Sequence, residues 1–164
     1  LWEGLGYYNR VRNLQRGARI VMAEHGGVIP ASFEALKKLP GIGDYTAGAI
    51  GSIAFQIPVP AVDGNVLRVI SRVLYRRDNI LDAKVKRWIE GEIKEILPER
   101  TGDFNQSLME LGATVCLPNG APKCNECPLQ ELCRAHLVGD EESLPVKTKA
   151  KKRKIEQRTV FTGL

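Results

Sequence analysis

Residues 39–50 read LPGIGDYTAGAI, and the first five, Leu39 to Gly43, are predicted to form a tight turn between two helices. Glycine lets the backbone turn sharply because it has no Cβ to clash. Gly41 and Gly43 also leave amide groups bare at the start of the next helix, where the helix dipole favours an anion. The turn is therefore a candidate phosphate site, although a plain connection between helices explains the same residues.

Helical spacing of apolar residues continues on both sides of this turn. In the first helix the apolar side chains fall at Val11, Leu14, Ala18 and Val21. Residues suited to helix N-caps precede the later apolar segments. The predicted helices cover about 8–25, 32–38, 44–55, 63–75, 82–97 and 103–116, with Ser32, Asp44, Asp63 and Asp82 as caps. No segment alternates for long enough to need a sheet, so the sequence predicts an all-α fold.

The length and the net charge of the chain limit the kinds of protein that it can be. Its 164 residues suit one domain with a buried core. Lysine and arginine number 24 against 19 acidic residues, which gives a net charge of +5. This balance favours a polyanionic partner, nucleic acid first, although a soluble protein can be basic without one. The longest apolar stretch, residues 45–62, is interrupted by Gln56, Pro58 and Pro60, so no membrane partner is expected.

All four cysteines lie close together, in the order Cys116-x7-Cys124-x2-Cys127-x5-Cys133. Disulfide frameworks normally spread along a chain, so this clustering favours a metal or cluster site in a reducing compartment. Four thiolates suit zinc or an iron–sulfur cluster, and free thiols are the remaining alternative. The histidines are isolated in the sequence, and His136 is predicted to lie at the surface.

The segment LPGIGDYTAGAI, followed by VDGNVLRV at residues 62–69, resembles the helix-hairpin-helix DNA glycosylase superfamily. The resemblance implies an all-α helix-hairpin-helix glycosylase fold with a C-terminal iron–sulfur loop. It implies that a catalytic aspartate, here Asp63, begins the helix after a Gly/Pro-rich loop, although Asp63 could serve only as a helix cap. It also implies that the hairpin binds the DNA backbone through Leu39, Gly41, Ile42 and Gly43.

Tyr45 separates two branches of this superfamily. Members that also cleave the strand carry a lysine there, which forms a Schiff base with the sugar, and tyrosine cannot form an imine. Residues 2–14, WEGLGYYNRVRNL, resemble the adenine-specific branch, which removes adenine opposite 8-oxoguanine or guanine. The resemblance implies monofunctional hydrolysis of the N-glycosidic bond, with Asp63, Tyr45 and Asn65 in the site. It implies that Leu5 and Tyr7 wedge into the duplex. The alternative places Leu5, Tyr7 and Tyr8 in the core of the first helix.

The resemblance also sets expectations for the cysteines and for the ends of the chain. It implies a structural [4Fe–4S] cluster on Cys116, Cys124, Cys127 and Cys133, although the usual first spacer is six residues and this chain has seven. We expect a glycosylase core at 1–137 with its iron–sulfur loop at 116–133, a basic linker at 138–157 and the start of a further domain at 158–164. No residue matches the upstream general-acid glutamate of the family, so this chain alone is expected to be nearly inactive.

The expected partner is double-stranded DNA with an adenine mispair, bound by a monomer. The expected location is the cytoplasm with its nucleoid in a bacterium, or the nucleus or mitochondrion in a eukaryote. Two other functions stay open on the sequence alone. One is a bifunctional pyrimidine-lesion glycosylase/lyase, against which Tyr45 speaks, and the other is a non-catalytic DNA-binding module with a structural metal cluster.

Overall fold

The computed structural model describes residues 2–4 and 6–148, and all regular structure in these residues is helical. The α-helices of this part are α1 (Tyr8–Glu24), α2 (Phe33–Lys37), α3 (Asp44–Phe55), α4 (Gly64–Val73), α5 (Ala83–Glu95), α6 (Thr101–Thr114) and α7 (Arg134–Leu137). Short 3-10 turns lie at Cys124–Glu126, Gln130–Leu132 and Glu141–Ser143. The all-α prediction is confirmed. Within the described residues, no helix combines the length and the apolar character needed to cross a membrane.

The helix starts follow their local chemistry. Ser32 caps α2, Asp63 caps α4 and Asp82 caps α5, each by accepting a hydrogen bond from an amide of the first turn. The prediction that Asp44 caps α3 is wrong, because Gly43 is the cap and Asp44 is the first helical residue. An acidic side chain is favourable in the first turn as well, since it faces the positive end of the helix dipole.

Helix α4 runs through the main core, and every side chain from Val66 to Arg72 on it is buried. Helix α6 packs against both α3 and α4, and α5 contributes Ile89 and Ile93 to the same core. The buried members of this cluster are Val62, Val66, Leu67, Val69, Ile70, Ile80, Ile89, Ile93 and Leu108. A smaller cluster of Leu36, Leu39 and Ala47 joins α2 to α3.

Helix α1 packs on the smaller cluster through Ile20 and Val21. The predicted apolar face is therefore partly wrong, since Leu14 is 74% exposed. Apolar residues occupy two adjacent faces of α1, and periodicity alone does not say which face meets the core. The C-terminal half of α1 meets it, through Ile20 and through Val21 of the predicted face.

The chain beyond α7 folds back onto α4. Leu144 is 2% exposed, and Arg72 Nε donates a hydrogen bond to its carbonyl oxygen at 2.9 Å. The amide of Ile80 donates to the carbonyl oxygen of Val146 at 3.1 Å. The chain therefore still packs against α4 and the residues after it beyond residue 137. The domain boundary at residue 137 stays a prediction. The linker beyond residue 148 and the segment 158–164 lie outside the described residues.

Two glycines let the backbone of α6 come into direct contact with α3 and α4. A Cβ added to Gly102 would lie 2.7 Å from the carbonyl oxygen of Ser52 on α3. One added to Gly112 would lie 2.5 Å from Asn65 Cβ and 3.1 Å from its Cα. Real Cβ atoms do not approach other atoms so closely, so the position of α6 against the start of α4 requires glycine at 112.

We expect Gly112→Ala to lower the free energy of unfolding by about 1–3 kcal/mol or more, because the added methyl group must displace the backbone of α4. Gly91→Ala on α5 is the matched control, since a Cβ there meets open space and alanine favours a helix by about 1 kcal/mol over glycine. Denaturant unfolding followed by circular dichroism compares the two variants. Equal stabilities would contradict the close packing of α6 on α4.

Candidate active site

The hairpin between α2 and α3 presents bare main-chain amides. Gly41 has φ +80°, a left-handed conformation that glycine adopts readily, and Gly41 and Gly43 are both exposed. Within residues 2–4 and 6–148, neither of their amides donates to a protein acceptor. The first amides of α3 also lack partners inside the helix. The hairpin therefore offers free N–H groups at the positive end of α3, which is the environment that binds a phosphate.

The two apolar hairpin residues pack in the smaller core cluster. Leu39 is 6% exposed and belongs to the smaller core cluster, and Ile42 is half-buried against that cluster. The Leu39 amide donates to the carbonyl oxygen of Leu36 at 3.0 Å, and the Ile42 amide to that of Leu39 at 3.1 Å. Their side chains anchor the hairpin to the core, and a direct contact of either residue with DNA stays a prediction.

The start of α1 lies beside the hairpin. A Cβ added to Gly41 would lie 2.9 Å from Asn13 Cβ, and both segments line an open cleft of 1040 Å³. Tyr7, the residue before α1, is 80% exposed and has φ +49°. The alternative that places Tyr7 in the core of the first helix is therefore wrong. Leu5, the other predicted wedge residue, lies outside the described residues.

Asp63 lies where the loop after α3 enters α4, and it is half-buried. Its Oδ1 accepts hydrogen bonds from the amides of Asn65 and Val66, both at 2.8 Å. Its Oδ2 accepts one from Asn65 Nδ2 at 2.9 Å. The predicted capping role is confirmed. A carboxylate oxygen can accept two hydrogen bonds, so Oδ2 keeps one acceptor position beyond its protein partner.

The loop that leads to Asp63 is held by Asn105 of α6, a residue that the sequence did not single out. Asn105 is 1% exposed, and its Oδ1 accepts from the amide of Ala61 at 3.2 Å. Its Nδ2 donates to Ser52 Oγ and to the carbonyl oxygen of Val59, both at 2.9 Å. These bonds fix α3, the loop and α6 together two residues before Asp63.

Asn65 is held in turn by Arg68, one turn further along α4. Arg68 Nη2 donates to Asn65 Oδ1 at 2.9 Å and to the carbonyl oxygen of Gly112 at 2.6 Å. Its Nε donates to the carbonyl oxygen of Cys116 at 2.7 Å. Arg68 is 4% exposed, and burial lowers the pKa of its guanidinium. Hydrogen bonds therefore connect Asp63, through Asn65 and Arg68, to the first of the four cysteines.

Tyr45 is the second residue of α3 and is 39% exposed. Its hydroxyl donates to Met109 Sδ at 3.5 Å. Met109 lies on α6, the helix whose Gly112 packs on Asn65. Tyr45 therefore contacts the same helix that supports Asn65, and its predicted place in the active site stays a prediction.

All four cysteines are half-buried and line a single pocket next to α4. Arg72 on α4 is 3% exposed, and its Nη1 donates to Cys116 Sγ at 3.2 Å and to the carbonyl oxygen of Leu117 at 3.0 Å. Burial raises the pKa of the Cys124 thiol to about 11 and also raises that of Cys133. Thiolates are the ligand form, so a bound metal would have to supply the charge that stabilises them.

Arg68 and Arg72 were missed by the sequence analysis, although a signal for them exists. They stand four residues apart in LRVISRV, on one face of an otherwise apolar helix. A charged group on a buried helix needs acceptors of its own inside the protein. That pattern indicates buried arginines, but it does not say which carbonyl groups they reach.

The prediction that His136 lies alone at the surface is wrong. His136 is half-buried, its Nδ1 bonds to Glu141 Oε1, and its Nε2 lies 3.0 Å from Gln130 Nε2. The possible ligand atoms of Cys124, His136 and Glu141 all lie within 4.8 Å of one another. Glu141 arrives there because the chain turns back after α7, and local sequence does not reveal that return.

Comparison with known proteins gives a consistent result. Residues 24–53 match the family model described as the helix-hairpin-helix motif. The adenine DNA glycosylase of Rattus norvegicus is 52% identical over 138 residues, which is 83% of this chain and 27% of that protein. The adenine DNA glycosylase of Buchnera aphidicola subsp. Acyrthosiphon pisum is 39% identical over 148 residues, 90% of this chain and 42% of that protein. The chain thus spans less than half the length of either relative.

Solved structures agree with these relatives. A thermostable thymine-DNA glycosylase superposes with a TM-score of 0.68 and 31% identity, over 77% of this chain and 58% of that one. Endonuclease III in a non-covalent DNA complex gives a TM-score of 0.66 and 32% identity, over 83% of this chain and 61% of that one. Taken with the exposed hairpin amides and the aspartate that begins α4, these likenesses show that the chain belongs to the helix-hairpin-helix DNA glycosylases, on the branch of the adenine DNA glycosylases.

Proposed function

We propose that the protein carrying this chain removes adenine from a mispair with 8-oxoguanine or guanine by hydrolysing the N-glycosidic bond. The observation that carries the proposal is Asp63, a half-buried carboxylate with a fixed orientation at the start of α4. The names of the relatives support adenine as the base. We expect a monomer to act on duplex DNA.

The proposed reaction builds positive charge on the sugar as the base departs. A fixed carboxylate stabilises such a cation, or forms a transient covalent adduct with it, more effectively than mobile water does. Oδ1 of Asp63 accepts hydrogen bonds from two amides of α4. Oδ2 is therefore the oxygen that would stabilise or attack the sugar cation. Asn65 donates to Oδ2, and Arg68 prevents Asn65 from rotating by donating to its Oδ1.

Tyr45 supports hydrolysis without strand cleavage. Strand cleavage through a Schiff base needs a primary amine that attacks the sugar and later releases it. A phenol cannot form that imine, and no lysine occurs between Lys38 and Lys84. The proposed product is therefore an intact strand with an abasic site.

Duplex binding is proposed to begin at the hairpin. The amides of Gly41 and Gly43 and the first amides of α3 would contact phosphate oxygens, a contact that carries no base sequence information. The exposed Tyr7 beside the hairpin would enter the base stack, as apolar and aromatic side chains do when an enzyme extrudes a base.

The cysteines fit a [4Fe–4S] cluster, because all four thiols line one pocket, at whose edge His136 and Glu141 bond to each other. Cys116, Cys124, Cys127 and Cys133 would hold it, and the cluster would supply structural cross-linking rather than chemistry on the base. Arg72 would donate to the Cys116 sulfur and so partly offset the negative charge of the ligated thiolates.

The purified protein is expected to contain iron and acid-labile sulfide at about four atoms of each per chain. Metal analysis and a sulfide assay on anaerobically prepared protein provide the measurement. Cys127→Ser should lower both contents together, because it removes one of the four ligands. Stoichiometric zinc without sulfide would contradict the cluster assignment.

In the full-length protein, Asp63→Asn is expected to slow adenine release by at least ~10²–10³-fold while leaving duplex binding largely intact. Asparagine keeps the shape and can still cap α4, but it cannot neutralise or attack a sugar cation. Single-turnover rates on an adenine:8-oxoguanine duplex, with equilibrium binding to the same duplex, provide the measurement.

Asp82→Asn is the matched control for this variant, because Asp82 caps α5 through the amide of Lys84 at 2.8 Å and lies outside the proposed site. It should cleave at the parent rate. An Asp63→Asn variant that does the same would reduce Asp63 to a structural cap and end its catalytic assignment.

A further inference from the structure

An ion pair spans the hairpin that is proposed to bind phosphate. Lys37, the last residue of α2, places its Nζ 2.7 Å from Oδ1 of Asp44, the first residue of α3. The Lys37 ammonium also lies 5.3 Å from the centre of the Phe33 ring, which favours this position of the side chain. Both side chains remain accessible, at 38% and 55% exposure.

The position of Asp44 matters because the first turn of α3 is where an anion is attracted. A carboxylate there interacts favourably with the helix dipole, as a phosphate would. Two anions at one helix start repel each other, so Asp44 works against the binding of a phosphate at the hairpin. Lys37 cancels this charge, and the pair raises the pKa of Lys37 and lowers that of Asp44, so both stay charged at neutral pH.

We propose that the Lys37–Asp44 ion pair sets the strength and the salt dependence of backbone binding at the hairpin. In the free protein Asp44 holds Lys37 and shields the start of α3. When a phosphate arrives, Lys37 is shared between that phosphate and Asp44, so only part of its charge reaches the DNA. This inference rests on the proposed binding of DNA by the hairpin and adds the residues that tune it.

If the Lys37–Asp44 pair had only a structural role, a different result would be expected. Exposed ion pairs contribute little to stability, and the contribution of Asp44 to α3 does not depend on DNA. If the pair only joined α2 to α3, removing either charge would change thermal stability slightly. It would change duplex affinity no more than the loss of any other surface charge.

The test is a double-mutant cycle with the 164-residue chain carrying its cluster, titrated with a fluorescent duplex at several salt concentrations. Asp44→Asn should tighten binding about three- to tenfold at low salt and steepen the slope of log K against log salt by about one, as one more phosphate is neutralised. Lys37→Met should weaken binding by a similar factor. Lys37→Met should cost more affinity in the Asp44→Asn background than in the parent, because only there is the whole Lys37 charge free for the phosphate. Equal costs in the two backgrounds would mean two independent charges and would overturn the shared pair.

Asp103→Asn is the matched control. Asp103 also lies in the first turn of a helix and pairs with Arg100 at 2.6 Å, with 56% of its side chain exposed. Its loss removes the same charge away from the hairpin and should change affinity less than about twofold. Lys37→Arg should behave like the parent, which shows that the charge and not the fold is responsible.

Gly43→Glu distinguishes a failure of the proposed DNA-binding mode from a failure of the ion-pair proposal. If Gly43→Glu binds as well as the parent, the hairpin is not the phosphate site, and the proposed mode of DNA binding fails together with this inference. If Gly43→Glu abolishes binding while Asp44→Asn behaves like Asp103→Asn, the hairpin binds DNA and the tuning role of the ion pair is overturned. A weakened Asp44→Asn variant would overturn it as well.

Discussion

Two guanidinium groups on one face of α4, those of Arg68 and Arg72, occupy the middle of the protein. A buried charge is costly unless hydrogen bonds replace its hydration. Here the replacements are main-chain carbonyls from three separate places, namely the end of α6, the first cysteine segment and the return of the chain after α7. They are the carbonyls of Gly112, Cys116, Leu117, Glu141 and Leu144. These segments must converge on α4 or leave a cation without partners, so the helix that begins at Asp63 is also the helix that organises the cysteine loop.

The start of α3 and the start of α4 use the same physical property in opposite ways. Every α-helix begins with amides that have no partner inside the helix. At α4 two of them are taken by Asp63, and the result is a carboxylate held in one orientation. At α3 the cap is Gly43, which has no side chain to offer, and the amides stay available to an external anion. The proposed chemistry and the proposed docking thus both follow from which residue stands just before a helix.

Features that depend on neighbouring residues could be predicted from the sequence, and contacts between distant segments could not. Helix limits and the caps Ser32, Asp63 and Asp82 could be predicted because a cap depends only on residues two or three positions away. The face of α1 that meets the core could not, since Leu14 and Ile20 are equally apolar in pattern and only the neighbours of α1 decide between them. Asn105 bonds to partners more than 40 residues away along the chain, so no local pattern predicts its role. His136 meets Gln130 and Glu141, five or six residues away, only because the chain turns around α7, and helical periodicity does not predict that turn.

The return of the chain after α7 has a consequence for the order in which the protein assembles. The bond from Arg72 to the carbonyl oxygen of Leu144 joins residues 72 positions apart, and that from Arg68 to Cys116 joins residues 48 apart. Contacts of such sequence separation must first meet the entropy of closing a long loop, and they slow folding. During synthesis, α4 leaves the ribosome well before its carbonyl partners exist. The guanidinium groups of Arg68 and Arg72 therefore stay hydrated at that stage. Their full set of hydrogen bonds can form only after residue 144 has been synthesised.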